Sequence, residues 1–136
     1  MAIAATMPAI THVAVTVTDL DRSEAWYTKV LGVTPVLDED TGPFRHIVFA
    51  VGDTLLGLHG FPRLVDYEPF DERRPGLDHI AFGVASRDEL ERARRLLDER
   101  GVPHGEITDL GDAFGMYILA FRDPDNIQLE LTALYG

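Results

Sequence analysis

Two short segments of the chain alternate between apolar and small or polar residues, which is the period of a β-strand. Residues 12–17 read HVAVTV, and residues 79–84 read HIAFGV. Because successive side chains of a strand point to opposite faces, each segment has one bulky apolar face and one face of small residues that begins with a histidine. We predict that a helix covers the bulky face and that the small-residue face borders a cavity.

A helical pattern follows each of these strands, and polar residues stand where the helices should begin. In the first helix either Asp19 or Asp21 can serve as the N-cap, and Asp21 has capping-box spacing with Glu24. In the second helix Ser86 and Glu89 form the S-x-x-E pattern of a capping box. The two stretches therefore repeat a strand–helix unit.

The helices are predicted to end alike, since Gly32 and Gly101 both fit the left-handed position that follows a helix. Three candidate strands come after each helix. They lie near 33–38, 46–51 and 54–59 in the first half, and near 104–109, 116–121 and 127–132 in the second. The sequence thus predicts an α+β fold of two tandem βαβββ modules, over 10–60 and 77–133, joined by a proline-rich linker over 61–76.

Composition narrows the classes of protein to consider. The chain has 136 residues, 46% of them hydrophobic, which suits a single packed domain over residues 10–133. The net charge of −11 disfavours nucleic acid and anionic membranes as partners. The absence of cysteine excludes disulfides and thiol catalysis, and with no signal-peptide pattern in the first ten residues it leads us to expect a cytoplasmic protein.

Three side chains on the small-residue faces have the chemistry of metal ligands. His12 and His79 occupy equivalent positions of the repeat, and Glu130 lies in the last predicted strand. Aligning LLGL at 55–58 with QLEL at 128–131 places Gly57 opposite Glu130. Two neutral imidazoles and a carboxylate can hold a divalent metal and leave other coordination positions open to a substrate or to oxygen.

The segments THVAVTVTDLDRSEAWYTKVLGV, LDHIAFGV and FRDPDNIQLEL resemble the vicinal oxygen chelate superfamily. That group includes glyoxalase I, extradiol dioxygenases, methylmalonyl-CoA epimerase, fosfomycin-resistance enzymes and bleomycin-resistance proteins, and the resemblance covers residues 10–133. It implies a cupped mixed sheet with helices on its convex side, and a homodimer. It also implies that His12, His79 and Glu130 bind one divalent metal per site, with iron, manganese, zinc, nickel and cobalt all suitable.

The chain departs from glyoxalase I on the fourth strand, where that enzyme has a fourth ligand, Glu or Gln, and this chain has Gly57. His59 lies two residues further on and on the same face, so it could be a fourth ligand, an acid or base, or simply a polar residue at a strand end. We take Glu130 and His59 as the candidate catalytic residues. Extradiol enzymes also need a nearby His and Tyr, for which His46, His104 and Tyr117 are available.

Two functions follow from this resemblance. The first is a metal-dependent isomerase, lyase or extradiol-type dioxygenase that acts on a small oxygenated substrate. The alternative is a metal-free protein of the bleomycin-resistance type, which binds and sequesters an aromatic antibiotic or another small molecule. Phe61, Tyr67 and Phe70 of the linker could border the groove of such a protein, or they could pack locally.

Overall fold

The computed structural model describes residues 2–4, 6–7 and 9–136. The chain divides into two compact units, the first running through Tyr67 and the second starting at Glu68. The elements in chain order are β1 (His12–Thr16), α1 (Leu20–Trp26), a π-helical segment (Tyr27–Leu31), β2 (Thr34–Asp40), β3 (Arg45–Val51), β4 (Thr54–Gly60), β5 (Ile80–Val84), α2 (Arg87–Glu99), β6 (Thr108–Asp109), β7 (Met116–Arg122) and β8 (Gln128–Leu134).

Each unit contains one four-stranded mixed sheet, and the two sheets have the same topology. Their strand orders are β1-β4-β3-β2 and β5-β8-β7-β6. The first strand of each unit pairs in parallel with the last, and the other pairs are antiparallel. The predicted α+β fold of two tandem βαβββ modules is confirmed.

The alternation of side chains in β1 produces the expected burial. Val15 and Val17 are buried, whereas His12 and Ala14 on the other face are exposed. Helix α1 packs on β3 and β4. The fully buried ring of Tyr27, which follows α1, stacks on Phe49 of β3 with ring centroids 6.1 Å apart. The bulky face is therefore the core side of the first sheet.

The helix ends follow the predicted chemistry. Asp19 is the N-cap of α1, since its carboxylate accepts a hydrogen bond from the backbone N–H of Arg22 at 3.1 Å. Ser86 caps α2 by accepting from the N–H of Glu89. Gly32 and Gly101 both adopt the left-handed conformation, with φ of 69° and 66°.

One strand is much shorter than predicted. Strand β6 has only two residues, Thr108–Asp109, because the chain before it meets β7 only locally. His104 forms an isolated bridge with Phe121, and the N–H of Gly105 donates to the carbonyl oxygen of Ala120 at 2.8 Å. The prediction of a strand over 104–109 was therefore wrong for its first four residues.

The residues that follow Tyr67 form an ion pair and hydrogen bonds with strand β7 and the turn after it in the second unit. Arg122 forms two hydrogen bonds to the carboxylate of Glu72, at 3.0 and 2.8 Å, and the side-chain amide of Asn126 donates to the carbonyl oxygen of Phe70. This ion pair lowers the pKa of Glu72 to about 2. No helix among the described residues is long and apolar enough to cross a lipid bilayer.

Candidate functional site

Two of the predicted metal ligands meet in the second unit. The parallel pairing of β5 with β8 sets Ala81 opposite Glu130, and His79 lies two residues before Ala81 and on the same face. The Nε2 atom of His79 is 3.8 Å from Oε2 of Glu130. The imidazole side chain is 39% exposed and the carboxylate 14%, so the pair is open to solvent from the histidine side.

The residues around Glu130 are small, as the sequence pattern predicted. Ala81 on β5 and Ala120 on β7 pair with Glu130 from its two sides. A Cβ atom added at Gly83 would meet nothing within 4 Å. The hydroxyl of Thr132 donates to Oε1 of Glu130 at 3.4 Å, while Oε2 is the oxygen nearest His79. The face of the second sheet around Glu130 is thus lined by small residues.

The first unit has a histidine at the equivalent position. The Nδ1 atom of His12 lies 2.9 Å from the hydroxyl of Thr11, and the residue is exposed. Ala14 pairs with Gly57 as Ala81 pairs with Glu130, so the register confirms that Gly57 stands where the second unit has its carboxylate. The first unit therefore offers an imidazole with no carboxylate at the matching place.

The ring of His59 lies next to the space that a side chain at position 57 would enter. A Cβ atom built on Gly57 would be 3.7 Å from Nε2 of His59 and 3.3 Å from Cβ of Ala14. His59 stacks on Phe44, with centroids 4.8 Å apart and planes within 11°, and meets the edge of His46 at 5.3 Å. Absence of a side chain at Gly57 thus leaves the imidazole of His59 facing this part of the sheet.

Burial first, and then the neighbouring His46, lower the pKa of His59 below its ordinary value. The imidazole is consequently neutral at neutral pH and has one nitrogen able to accept a proton. A cavity of about 280 Å³ lies at the same end of the sheet, with Phe44 and Phe61 in its wall. A neutral histidine beside aromatic rings can transfer a proton or contact a flat ligand.

The donor chemistry fits part of a metal site. Two ligands that each lie about 2.1 Å from one ion, at angles of about 90° to 110°, are roughly 3.0–3.4 Å apart. The 3.8 Å between His79 and Glu130 is therefore close to the separation required. Within the described part of the chain, no group of three or more His, Asp or Glu side chains is arranged to hold a metal ion.

The three residues available as the nearby His and Tyr of an extradiol enzyme have other contacts. Both ring nitrogens of His104 are engaged, Nε2 with Asp98 at 2.5 Å and Nδ1 with the carbonyl oxygen of Gly105 at 2.6 Å. Tyr117 lies under the guanidinium of Arg87, which is 5.3 Å from the ring centroid. His46 packs against Phe44 and His59.

Sequence reasoning did not identify the residues that orient the two repeat histidines. Asp78 accepts from Nδ1 of His79 at 2.8 Å, as Thr11 contacts Nδ1 of His12. The available signal was the polar residue directly before each histidine, in T-H-V and D-H-I. A polar neighbour is common beside a strand, so the pattern alone does not distinguish it from ordinary surface.

Comparison with known proteins agrees with this fold. Residues 9–131 match the family described as the Glyoxalase/Bleomycin resistance protein/Dioxygenase superfamily. The chain belongs to this superfamily. The description covers glyoxalases, bleomycin resistance proteins and dioxygenases, so membership defines the class of the protein and does not define its reaction.

The alignments with similar proteins cover nearly the whole chain. An uncharacterized Bacillus subtilis protein, YwkD, is 31% identical in an alignment that covers 92% of this chain and 96% of that protein. A glyoxylase/bleomycin resistance protein/dioxygenase domain from Frankia sp. is 33% identical with a TM-score of 0.84, covering 95% of this chain and 99% of that one. A fosfomycin resistance protein from Listeria monocytogenes shares the fold at 20% identity and a TM-score of 0.71, covering 94% of each chain.

Proposed function

We propose that this protein is a divalent-metal-dependent enzyme that acts on a small oxygenated substrate by isomerase, lyase or extradiol-type dioxygenase chemistry. The ligands are His79 and Glu130, with His12 as the third. The observation that carries the proposal is the approach of His79 Nε2 to Glu130 Oε2 at 3.8 Å, on a face of small residues. The equivalent position of His12 in the repeat supports its inclusion.

Each residue has a distinct role in this proposal. A divalent ion at such a site polarises oxygen atoms of a bound substrate. Glu130 supplies the anionic ligand, and the hydrogen bond from Thr132 helps to hold its carboxylate in place. Gly83 lies on the same face and has open space where a side chain would be, which favours access of a substrate to this face. His59 is the proton acceptor in this proposal, because burial lowers its pKa and keeps its imidazole neutral at neutral pH.

Metal content per chain tests the proposal directly. We expect near-stoichiometric metal in protein purified anaerobically without a metal-affinity tag, and its loss in His79→Ala and Glu130→Gln. The measurement is elemental mass spectrometry. His104→Ala is the matched control, since it removes a histidine of the same unit whose nitrogens are both engaged elsewhere.

The identity of the metal then separates the reaction classes. Iron favours oxygen-dependent ring cleavage, whereas manganese, zinc or nickel favours isomerase, lyase or transferase chemistry. Absence of metal from the wild type after reconstitution, or equal metal in wild type and both ligand variants, would refute the metalloenzyme proposal.

The origin of the third ligand is tested with mixed subunits, because we also propose that the protein is a homodimer. If the ligands come from two chains, co-purified dimers of His12→Ala and His79→Ala subunits regain one intact site per dimer. If all three come from one chain, the mixed dimers bind no more metal than either parent. Sedimentation of the wild type as a monomer would exclude the dimer itself.

A second candidate function is supported by the first unit. Phe44, His59 and Phe61 form an aromatic cluster beside the cavity of about 280 Å³. Phe61 is 42% exposed, and its ring can therefore contact a ligand. In this function the protein binds an aromatic antibiotic or another small molecule without metal, and calorimetry should show affinity that a chelator leaves unchanged and Phe44→Ala reduces.

A further inference from the structure

We propose that Asp78 is a positioning residue, which fixes the tautomer and orientation of the His79 ring so that Nε2 presents its lone pair toward Glu130. The metal-binding consequence rests on the proposed function, but the effect on the ring does not. Three hydrogen bonds at the mouth of β5 indicate this role.

The first contact links the acid to the ring. Oδ1 of Asp78 lies 2.8 Å from Nδ1 of His79. An ionised carboxylate only accepts hydrogen bonds, so the proton of a neutral imidazole has to reside on Nδ1. Nε2 is then the nitrogen with the free lone pair, and it is the nitrogen that lies 3.8 Å from Glu130.

The other two contacts hold the acid in place. The side-chain amide of Gln128 donates to the carbonyl oxygen of Asp78 at 3.1 Å and to Oδ1 at 3.1 Å. Gln128 begins β8, the strand that carries Glu130. Asp78 is 66% exposed, so its carboxylate would sample many positions without this support. Gln128 thus connects β8, which carries Glu130, to Asp78. Asp78 in turn restrains the ring of His79.

The first unit provides the internal comparison. His12 has Thr11 at the equivalent position, with the hydroxyl 2.9 Å from Nδ1. A hydroxyl can donate or accept, so it is compatible with either tautomer of His12. The carboxylate of Asp78 permits only one tautomer of neutral His79, the one with its proton on Nδ1. The two repeat histidines are therefore chemically different, and His79 is the one prepared for coordination.

The size of the effect follows from metal sites in general. A ligating imidazole commonly donates its other N–H to a carboxylate, and loss of that partner typically lowers metal affinity 10- to 100-fold. We expect a decrease in that range for Asp78→Ala. Asp78→Asn should retain most of the affinity, because an amide oxygen also accepts from Nδ1–H.

The experiment is nitrogen-15 NMR of the histidine rings in the full-length, metal-free protein, with zinc affinity measured afterwards on the same samples. In the wild type, His79 should show protonated Nδ1 and unprotonated Nε2. Asp78→Ala should shift His79 toward the other tautomer, and Asp78→Asn should preserve the wild-type signals. Thr11→Ala is the matched control, and it should alter the signals of His12 while leaving those of His79 unchanged.

The outcomes separate this inference from the proposed function. An unchanged His79 tautomer in Asp78→Ala would overturn the inference even if zinc binds. A shifted tautomer together with zinc affinity equal to the wild type would also overturn it, since the ring would then coordinate without help. A wild type that binds no zinc but shows the expected tautomer change would refute the metal site and leave the positioning of His79 by Asp78 established.

Discussion

Individual histidines of this chain differ in what their Nδ1 atoms contact, and that difference indicates their roles. Nδ1 of His79 faces the carboxylate of Asp78, and Nε2 lies near a second carboxylate. The 3.8 Å from Nε2 of His79 to Glu130 is too long for a hydrogen bond, whereas His104 has a hydrogen-bond acceptor within 2.6 Å of each nitrogen. A ring with two acceptors is best satisfied when both nitrogens carry protons, which is the charged form. His104 is therefore structural, and its charge contributes to stability.

The hydrogen bond to Asp98, and next the one to the Gly105 carbonyl, raise the pKa of His104 above its unfolded value of about 6.5. The stabilisation is complete below that unfolded pKa and is lost as the pH rises through the higher folded pKa. We expect His104→Gln to cost on the order of 1 kcal/mol at pH 5.5 and distinctly less at pH 9. Denaturant unfolding at both pH values measures the difference.

Asp98→Asn is the companion variant for this measurement. It retains the histidine but removes the carboxylate that favours its charge, so the pH-dependent part of the stability should shrink. A cost of His104→Gln that is equal at pH 5.5 and pH 9 would show that the imidazole contributes by packing alone.

At the scale of the elements, the structure agrees with the sequence-based prediction wherever neighbouring residues determine the helix ends and the buried face of a strand. The caps at Asp19 and Ser86 and the left-handed glycines place the helix ends. The alternation in β1 predicts which face is buried. In contrast, β6 has only two residues, because its pairing with β7 covers only Thr108 and Asp109, and α1 continues into a π-helical segment that the sequence pattern does not predict.

The same distinction applies to the candidate site. The repeat alignment predicted the equivalence of Gly57 and Glu130, and the strand register confirms it. The position of the His59 ring next to Gly57, and the orientation of His79 by Asp78, depend on side-chain rotamers that no spacing encodes. The sequence thus predicted which residues share a face of the sheet. The structure adds which atoms of these side chains point toward one another.

The glycine after α2 gives a test at this scale. Gly101 has φ of 66° and open space around a hypothetical Cβ, so Gly101→Ala meets a backbone penalty without a clash. We expect a loss of about 1 kcal/mol in the free energy of unfolding, read from denaturant titration. Gly83→Ala is the control, since its φ lies outside the left-handed range and its surroundings are also open. Equal effects of the two substitutions would contradict this account of the helix end.

At the scale of the whole molecule, two units of one topology carry different side chains at matching places. The second unit has the carboxylate and the oriented histidine, and the first has Gly57 and the aromatic cluster around His59. The net charge of −11 favours binding of cations over anionic polymers. The two units are thus specialised copies of one module rather than interchangeable halves.

Metal binding should be visible as global stabilisation if the proposed function is correct. A ligand that binds only the folded state, present at about 100 times its dissociation constant, adds roughly 2.7 kcal/mol to the free energy of unfolding. We expect zinc or manganese to raise the melting temperature of the wild type and a chelator to reverse the change, as measured by calorimetry. His79→Ala should show no rise, and a rise of the same size in that variant would assign the effect to another site.

The pairing of β1 with β4 also bears on how the protein is made. The first strand of each sheet has its hydrogen-bonding partner in the last strand of the same unit, so β1 leaves the ribosome before that partner has emerged. The first sheet can close once Gly60 has emerged, while the second unit is still being translated. Because such pairing is distant along the chain, closure of each sheet should be the slow event of its folding. A ribosome stalled within the second unit, at a chain length where Gly60 has cleared the exit tunnel, would then carry a first unit that already resists proteolysis.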